Sequence, residues 1–241
     1  MAPAGEAALI PMPAKVQRST QFSRDATDLI IDRAAGAIAA RGTFRLGLCG
    51  GSTPAVIYEE LARDPGAVPW NQTVITFGDE RCVPPDDPQS NFGNAQRALL
   101  GRVPIPAQNV LRMRGELSPV EAADDYQTTL RALAEKKGET HYVHDLLLLG
   151  LGHDGHTASL FPGTAALAET ERDVVGDFVP AQGVHRITLT FPLINSAREI
   201  CFLVNDPAKL PLIEDVVAGR SDCPAARVSP GSGALVWLVG G

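Results

Sequence analysis

A chain of 241 residues that is 44% hydrophobic and 20% charged has enough apolar mass for a full core and excludes global disorder. Its formal net charge of -7 excludes a general affinity for nucleic acid or anionic membrane, so any anionic ligand requires cations gathered locally. Cys49, Cys82, Cys201 and Cys223 show no CxxC pairing and read as reduced thiols; no apolar run approaches the roughly 18 residues of a membrane span, and a cytoplasmic protein is expected.

Residues 1–14, rich in Ala, Pro and Gly without a sustained period, read as a disordered leader, and 15–241 as a single α/β domain. From Phe22 to Arg41 apolar residues fall at Phe22, Ala26, Leu29, Ile30, Ala34, Ala37 and Ile38, which predicts a helix stopped by Gly42. Phe44–Cys49 reads as a buried strand, followed by Gly50-Gly51-Ser52-Thr53-Pro54 and a helix that Ser52 or Thr53 caps. Such a helix start attracts anions, and two glycines let backbone N–H groups approach a phosphate; the same residues could equally form only a tight turn. The Walker pattern is absent.

Thr73–Phe77 predicts a strand whose end carries Asp79, Glu80 and Arg81, charges that suit a ligand-binding rim or, more plainly, a surface ion pair. A helix is predicted over 91–100 and a short strand over 109–113. Ser118-Pro119-Val120-Glu121 is a capping box for a helix with Ala123, Tyr126, Leu130 and Leu133 on its face, ending near Lys137-Gly138. Strands follow at 145–149, 186–190, 198–204 and 234–239, with a helix over 206–219. This alternation predicts an α/β fold with a mainly parallel sheet and helices on both faces, and the segments 83–89 and 179–183 read as loops over a site.

Gly150 to Gly163, GLGHDGHTASLFPG, leaves the aliphatic run Leu146–Leu149, the place where parallel sheets hold ligands. GLGHDG matches the dinucleotide pattern GxGxxG, with Glu169, Glu171 and Asp173 downstream, but Pro162-Gly163 breaks the continuous helix that pattern needs. A metal held by His153, Asp154 and His156, with His141 and His144 nearby, lacks the fixed ligand spacing of zinc sites. The histidines could also simply cap turns.

Taken together, LGLCGGSTP, FGDERCVPPDDPQSN, LLLLGLGHDGHTASLFPG, RITLTFPLINSAREICFLV and Lys209 resemble the 6-phosphogluconolactonases in order and approximate spacing, from about Phe22 to the C-terminus. The glucosamine-6-phosphate deaminases are similar in the glycine loop and the DGH triplet but continue toward a catalytic glutamate, and residues 157–162 contain no acid. The resemblance implies a Rossmann-like, three-layer, sugar-phosphate isomerase-like sheet, with or without a small antiparallel β extension. It implies hydrolysis of 6-phospho-D-glucono-1,5-lactone in the oxidative pentose phosphate pathway, without cofactor or metal; a monomer or weak homo-oligomer is expected, the oligomeric state being left open by the sequence.

A lactone is an activated ester, so one base for water and one donor for the developing oxyanion suffice. His156 is the expected base, oriented by Asp154, with Arg81 as the electrostatic partner of the carbonyl. Gly50, Gly51, Ser52 and Thr53 are expected to hold the phosphate, closed over by Lys209 and Arg186. Asp79 organises the site, and Ser90-Asn91 shape its wall. The sequence departs from the family pattern at His153, where proline is common, at Asp206-Pro207 with Pro211 close behind, which bears on the reach of Lys209, and at Cys49.

Overall fold

The computed structural model describes residues 14–231 and 233–241; the expected leader, apart from Ala14, lies outside the described residues. Among the described residues nine strands are formed: β1 (Lys15–Ser19), β2 (Phe44–Leu48), β3 (Thr73–Phe77), β4 (Asp79–Arg81), β5 (Leu146–Leu149), β6 (Val174–Val179), β7 (Val184–Leu189), β8 (Glu199–Val204) and β9 (Ala234–Gly240). The α-helices among the described residues are α1 (Phe22–Arg41), α2 (Ser52–Leu61), α3 (Asn91–Ala95), α4 (Pro119–Glu135), α5 (Phe191–Ile194) and α6 (Leu210–Val217). Six strands make one parallel sheet in the order β1-β9-β8-β5-β2-β3, and three make an antiparallel sheet, β4-β7-β6. No helix among the described residues is long and apolar enough to cross a membrane.

Side chains alternate across a strand, so one sheet can feed two cores. Leu146 and Leu148 of β5, Cys201 and Leu203 of β8, and Val236 and Leu238 of β9 join α1 and α2 in one core. Leu147 and Leu149, Ile200, Phe202 and Val204, and Trp237 and Val239 join α4 and the antiparallel sheet in the other. In the second core, Trp237 stacks on Phe202 with 3.9 Å between ring centres.

Local signals account for most boundaries. Gly42 closes α1 in the left-handed region, and Ser118 with Glu121 forms the complete capping box of α4. The predicted strand over 109–113 does not form. Val110 makes one isolated bridge to Ile75, and the chain then turns so that Gly115 passes against the carbonyls of Arg81 and Val83, where a side chain would collide. The helix expected over 91–100 divides into α3 and a π-helical turn (Gln96–Leu100). In the segment 206–219, Asp206 caps a 3-10 turn (Pro207–Lys209) before α6 begins.

His144, just before β5, is fully buried; its Nε2 lies 2.8 Å from Thr76 Oγ1, and burial pushes its pKa down to about 3. The native ring thus stays neutral where the unfolded ring takes a proton below about 6.5, so the unfolded state binds more protons and stability rises with pH across that window. From this group alone, denaturant titrations at pH 5 and pH 7 should differ by about 2 kcal/mol. His144→Gln should shrink the measured difference by about that amount; an unchanged difference would show that the ring does not stay neutral.

Candidate active site

β2, β5 and β8 point their C-terminal ends at a recess of about 300 Å³, closed on one side by the antiparallel sheet. At the end of β2 the Tyr58 hydroxyl receives the Cys49 amide and donates to the Cys49 carbonyl, which fixes the start of the glycine turn. Burial pushes the Cys49 thiol up to about 12, so it stays protonated and takes no part as a nucleophile. Gly51 then sits at φ 107°, a conformation open to glycine, and is itself the N-cap of α2. This corrects the expectation that Ser52 or Thr53 caps the helix: both lie within its first turn. No side chain caps this end, so its amides face the recess without a protein side-chain acceptor.

β4 alternates its side chains. Asp79 and Arg81 line the recess, and Glu80 turns inward at 2% exposure. Glu80 is not the partner in a surface ion pair with Arg81. It receives the amides of Arg81, Asn91 and Phe92 and the Ser90 hydroxyl, binding β4 to the start of α3. Burial raises its pKa, and those amide bonds oppose the rise. Asp79 receives the Ser159 hydroxyl at 2.6 Å and the Asn91 amide nitrogen at 3.1 Å. Asn91 in turn packs against Gly50, where an added Cβ would stand 1.9 Å from Asn91 Oδ1.

Antiparallel register sets Arg81 directly opposite Arg186. Arg81 donates to the Gln89 carbonyl and Arg186 to the Gln182 side chain, but the Nε of each is buried without a hydrogen-bond partner. Burial, then the like charge of Arg81, lowers the pKa of Arg186, with Asp79 and Glu80 opposing. Two guanidinium groups facing a recess with free donors form a site for an anion.

β5 delivers the loop 150–163, which forms no helix; this disposes of the dinucleotide reading. The loop folds on itself through Gly152 N to His156 O at 2.9 Å and Gly155 N to Gly152 O at 3.1 Å. A side chain at Gly152 would overlap the His156 ring, and Gly155, at φ 78°, leaves no room beside Cys223. His156 stacks on Phe161, and its Nδ1 lies 2.5 Å from Asp154 Oδ1. Partial burial pushes the Asp154 carboxyl up, but its bonds to the His156 ring and amide outweigh this and hold it below the usual range. An ionised Asp154 accepts, so the Nδ1 proton points at it and the Nε2 lone pair is left for the recess.

Lys209 reaches the recess despite the neighbouring prolines. Pro207 opens the 3-10 turn and Pro211 lies in the first turn of α6, positions where no amide is needed, and Lys209 Nζ donates to the Leu151 carbonyl at 2.7 Å. Gly50, Gly51, Ser52, Thr53, Asp79, Arg81, Asn91, His156, Arg186 and Lys209 thus line one recess, with Asp154 behind His156; Ser90 does not line it but is buried against Glu80 and caps α3. His141 and His144 do not line it either: they lie before β5, beside Asp173 and Thr76. The sequence reading missed Ser159, Gln182 and Asn205 in the lining and the left-handed backbone of Ala158, φ 48°. The loop assignment for 179–183 was the one available pointer to Gln182.

The chain matches, over residues 17–237, the family model described as glucosamine-6-phosphate isomerases/6-phosphogluconolactonase. It is 40% identical to a 6-phosphogluconolactonase of Synechocystis, covering 87% of each chain. It is 36% identical to one of Homo sapiens, covering 92% of this chain and 88% of the other. The solved 6-phosphogluconolactonase of Thermotoga maritima superposes with a TM-score of 0.84 at 28% identity, covering 95% of this chain and 100% of that one. By fold, by motif and by sequence, the chain belongs to the glucosamine-6-phosphate isomerase/6-phosphogluconolactonase family.

Proposed function

We propose that the chain hydrolyses 6-phospho-D-glucono-1,5-lactone to 6-phosphogluconate, a step of the oxidative pentose phosphate pathway. The observation that carries the reading is the His156–Asp154 pair opening into the same recess as the uncapped start of α2, Arg186 and Lys209. A base for water and an anion cradle belong to a substrate that is both phosphorylated and hydrolysable.

The phosphate rests on the amides and hydroxyls of Ser52 and Thr53, beside Gly50 and Gly51, with Lys209 and Arg186 supplying charge. Water attacks the lactone carbonyl while His156 Nε2 takes its proton, and Asp154 stabilises the imidazolium. Arg81 meets the oxyanion of the tetrahedral intermediate. The bond from C1 to the ring oxygen then breaks, and that oxygen takes the proton back from Nε2, leaving a hydroxyl and a carboxylic acid whose remaining water-derived proton is released to solvent to give the carboxylate. Ser159 and Asn91 hold Asp79 in place, and Asp79 supplies the negative charge that lets Arg81 and Arg186 coexist. The four free cysteines accord with a reducing compartment, and we read the chain as cytoplasmic.

A coupled assay on freshly generated lactone, corrected for spontaneous hydrolysis, should show acceleration; none above background would overturn the assignment. His156→Asn should lower kcat by about 10²- to 10⁴-fold with the fold intact by circular dichroism, and near-normal turnover would remove His156 as the base. Lys209→Ala and Arg186→Gln should act mainly through a raised KM for the lactone. A loss confined to kcat would place the phosphate elsewhere.

A further inference from the structure

The opposite ends of the same strands carry a second charged recess. β2, β5 and β8 run parallel, and the residues just before or at their starts, Arg45, Asp145 and Arg198, converge with Arg41 from the end of α1 and with Lys137 and Glu139 from the segment after α4. Together they line a cavity of about 210 Å³. It holds four cations and two carboxylates, an excess of positive charge in a chain whose net charge is -7.

Both carboxylates are already committed. Asp145 Oδ1 takes Arg41 at 2.8 Å and Arg198 at 3.4 Å, and its Oδ2 receives the Arg45 amide at 2.8 Å. Glu139 takes Arg45 at 2.6 Å, and the Arg45 guanidinium also lies over the Tyr142 ring. Lys137 has no ion-pair partner among the described residues. Arg41 turns Nε and Nη2 to Asp145 Oδ1, and Arg198 Nε lies 3.4 Å from the same oxygen with its Nη2 4.0 Å from Glu139; each keeps further N–H donors, and both are partly exposed at the rim. Concave walls concentrate the field of unneutralised charge, and guanidinium forks match tetrahedral oxyanions.

We infer that this recess is a second anion site, which takes a small dianion of the phosphate class, inorganic phosphate or a compact phosphate monoester. The carboxylates at its floor hold the arginines in position, while Lys137 and the free donors of Arg41 and Arg198 meet the ligand. The site shares no residue with the catalytic recess, and its occupancy is independent of the reaction assigned there.

Titration of the ¹⁵N-labelled protein with inorganic phosphate at constant ionic strength separates the two sites. Saturable shifts are expected at residues 50–53 and, with their own midpoint, at residues 41–45, 137–139 and 198. Lys137→Glu, an exposed change that leaves the fold and the lactonase kinetics intact, should weaken the second set by about tenfold or more while the first persists. Arg198→Gln should weaken it as well. Shifts confined to 50–53 would overturn the inference, as would a second set that survives Lys137→Glu or is reproduced by chloride. Loss of the 50–53 set alone would count against the catalytic phosphate cradle and not against this site.

Discussion

The Asp79 carboxylate is where the separate segments of the recess at the strand ends are joined. One oxygen takes Ser159 from the loop after β5, the other takes Asn91 from the start of α3, and Asn91 presses on Gly50 at the end of β2. Its charge also favours the charged form of Arg186, which the antiparallel register sets opposite Arg81. A buried acid with these partners stays in place because every alternative strands a polar group without a bond. Strands supply the approximate positions, and this node fixes the distances between them.

Two histidines flanking β5 sit in opposite environments. His144, at its start, is sealed against Thr76 and held neutral by burial, so it supports the sheet and contributes no proton chemistry. His156, beyond its end, faces an open recess, with one nitrogen on an acid and the other unclaimed. Desolvation keeps one ring neutral, and a partnered carboxylate orients the other.

Much of this was legible in the sequence because it rests on local chemistry. Gly42, the Ser118 capping box and the Leu146–Leu149 run mark their elements without reference to the rest of the chain. What depends on partners distant in sequence was not legible. β6 mixes glycine and aspartate with apolar residues and becomes a strand only by pairing with β7. β1 is a polar edge strand that needs β9 beside it. The facing of Arg81 and Arg186 is a matter of register, and the capping role of Gly51 rests on a dihedral angle that Ser52 and Thr53 obscured. The motif resemblance pointed to residues that converge on one recess; it did not show how Ser159 and Asn91 hold Asp79.

The division of the sheet between two cores limits how such a chain can change length. Each central strand alternates its side chains between α1 and α2 on one side and α4 with the antiparallel sheet on the other. Adding or deleting one residue within β5 or β8 would exchange the two sets and displace the recess residues that follow by one strand step, about 3.3 Å. Variation in length is therefore confined to segments such as 83–89, where the chain leaves the sheet. The interior can vary in composition, but its spacing is held by two packing surfaces at once.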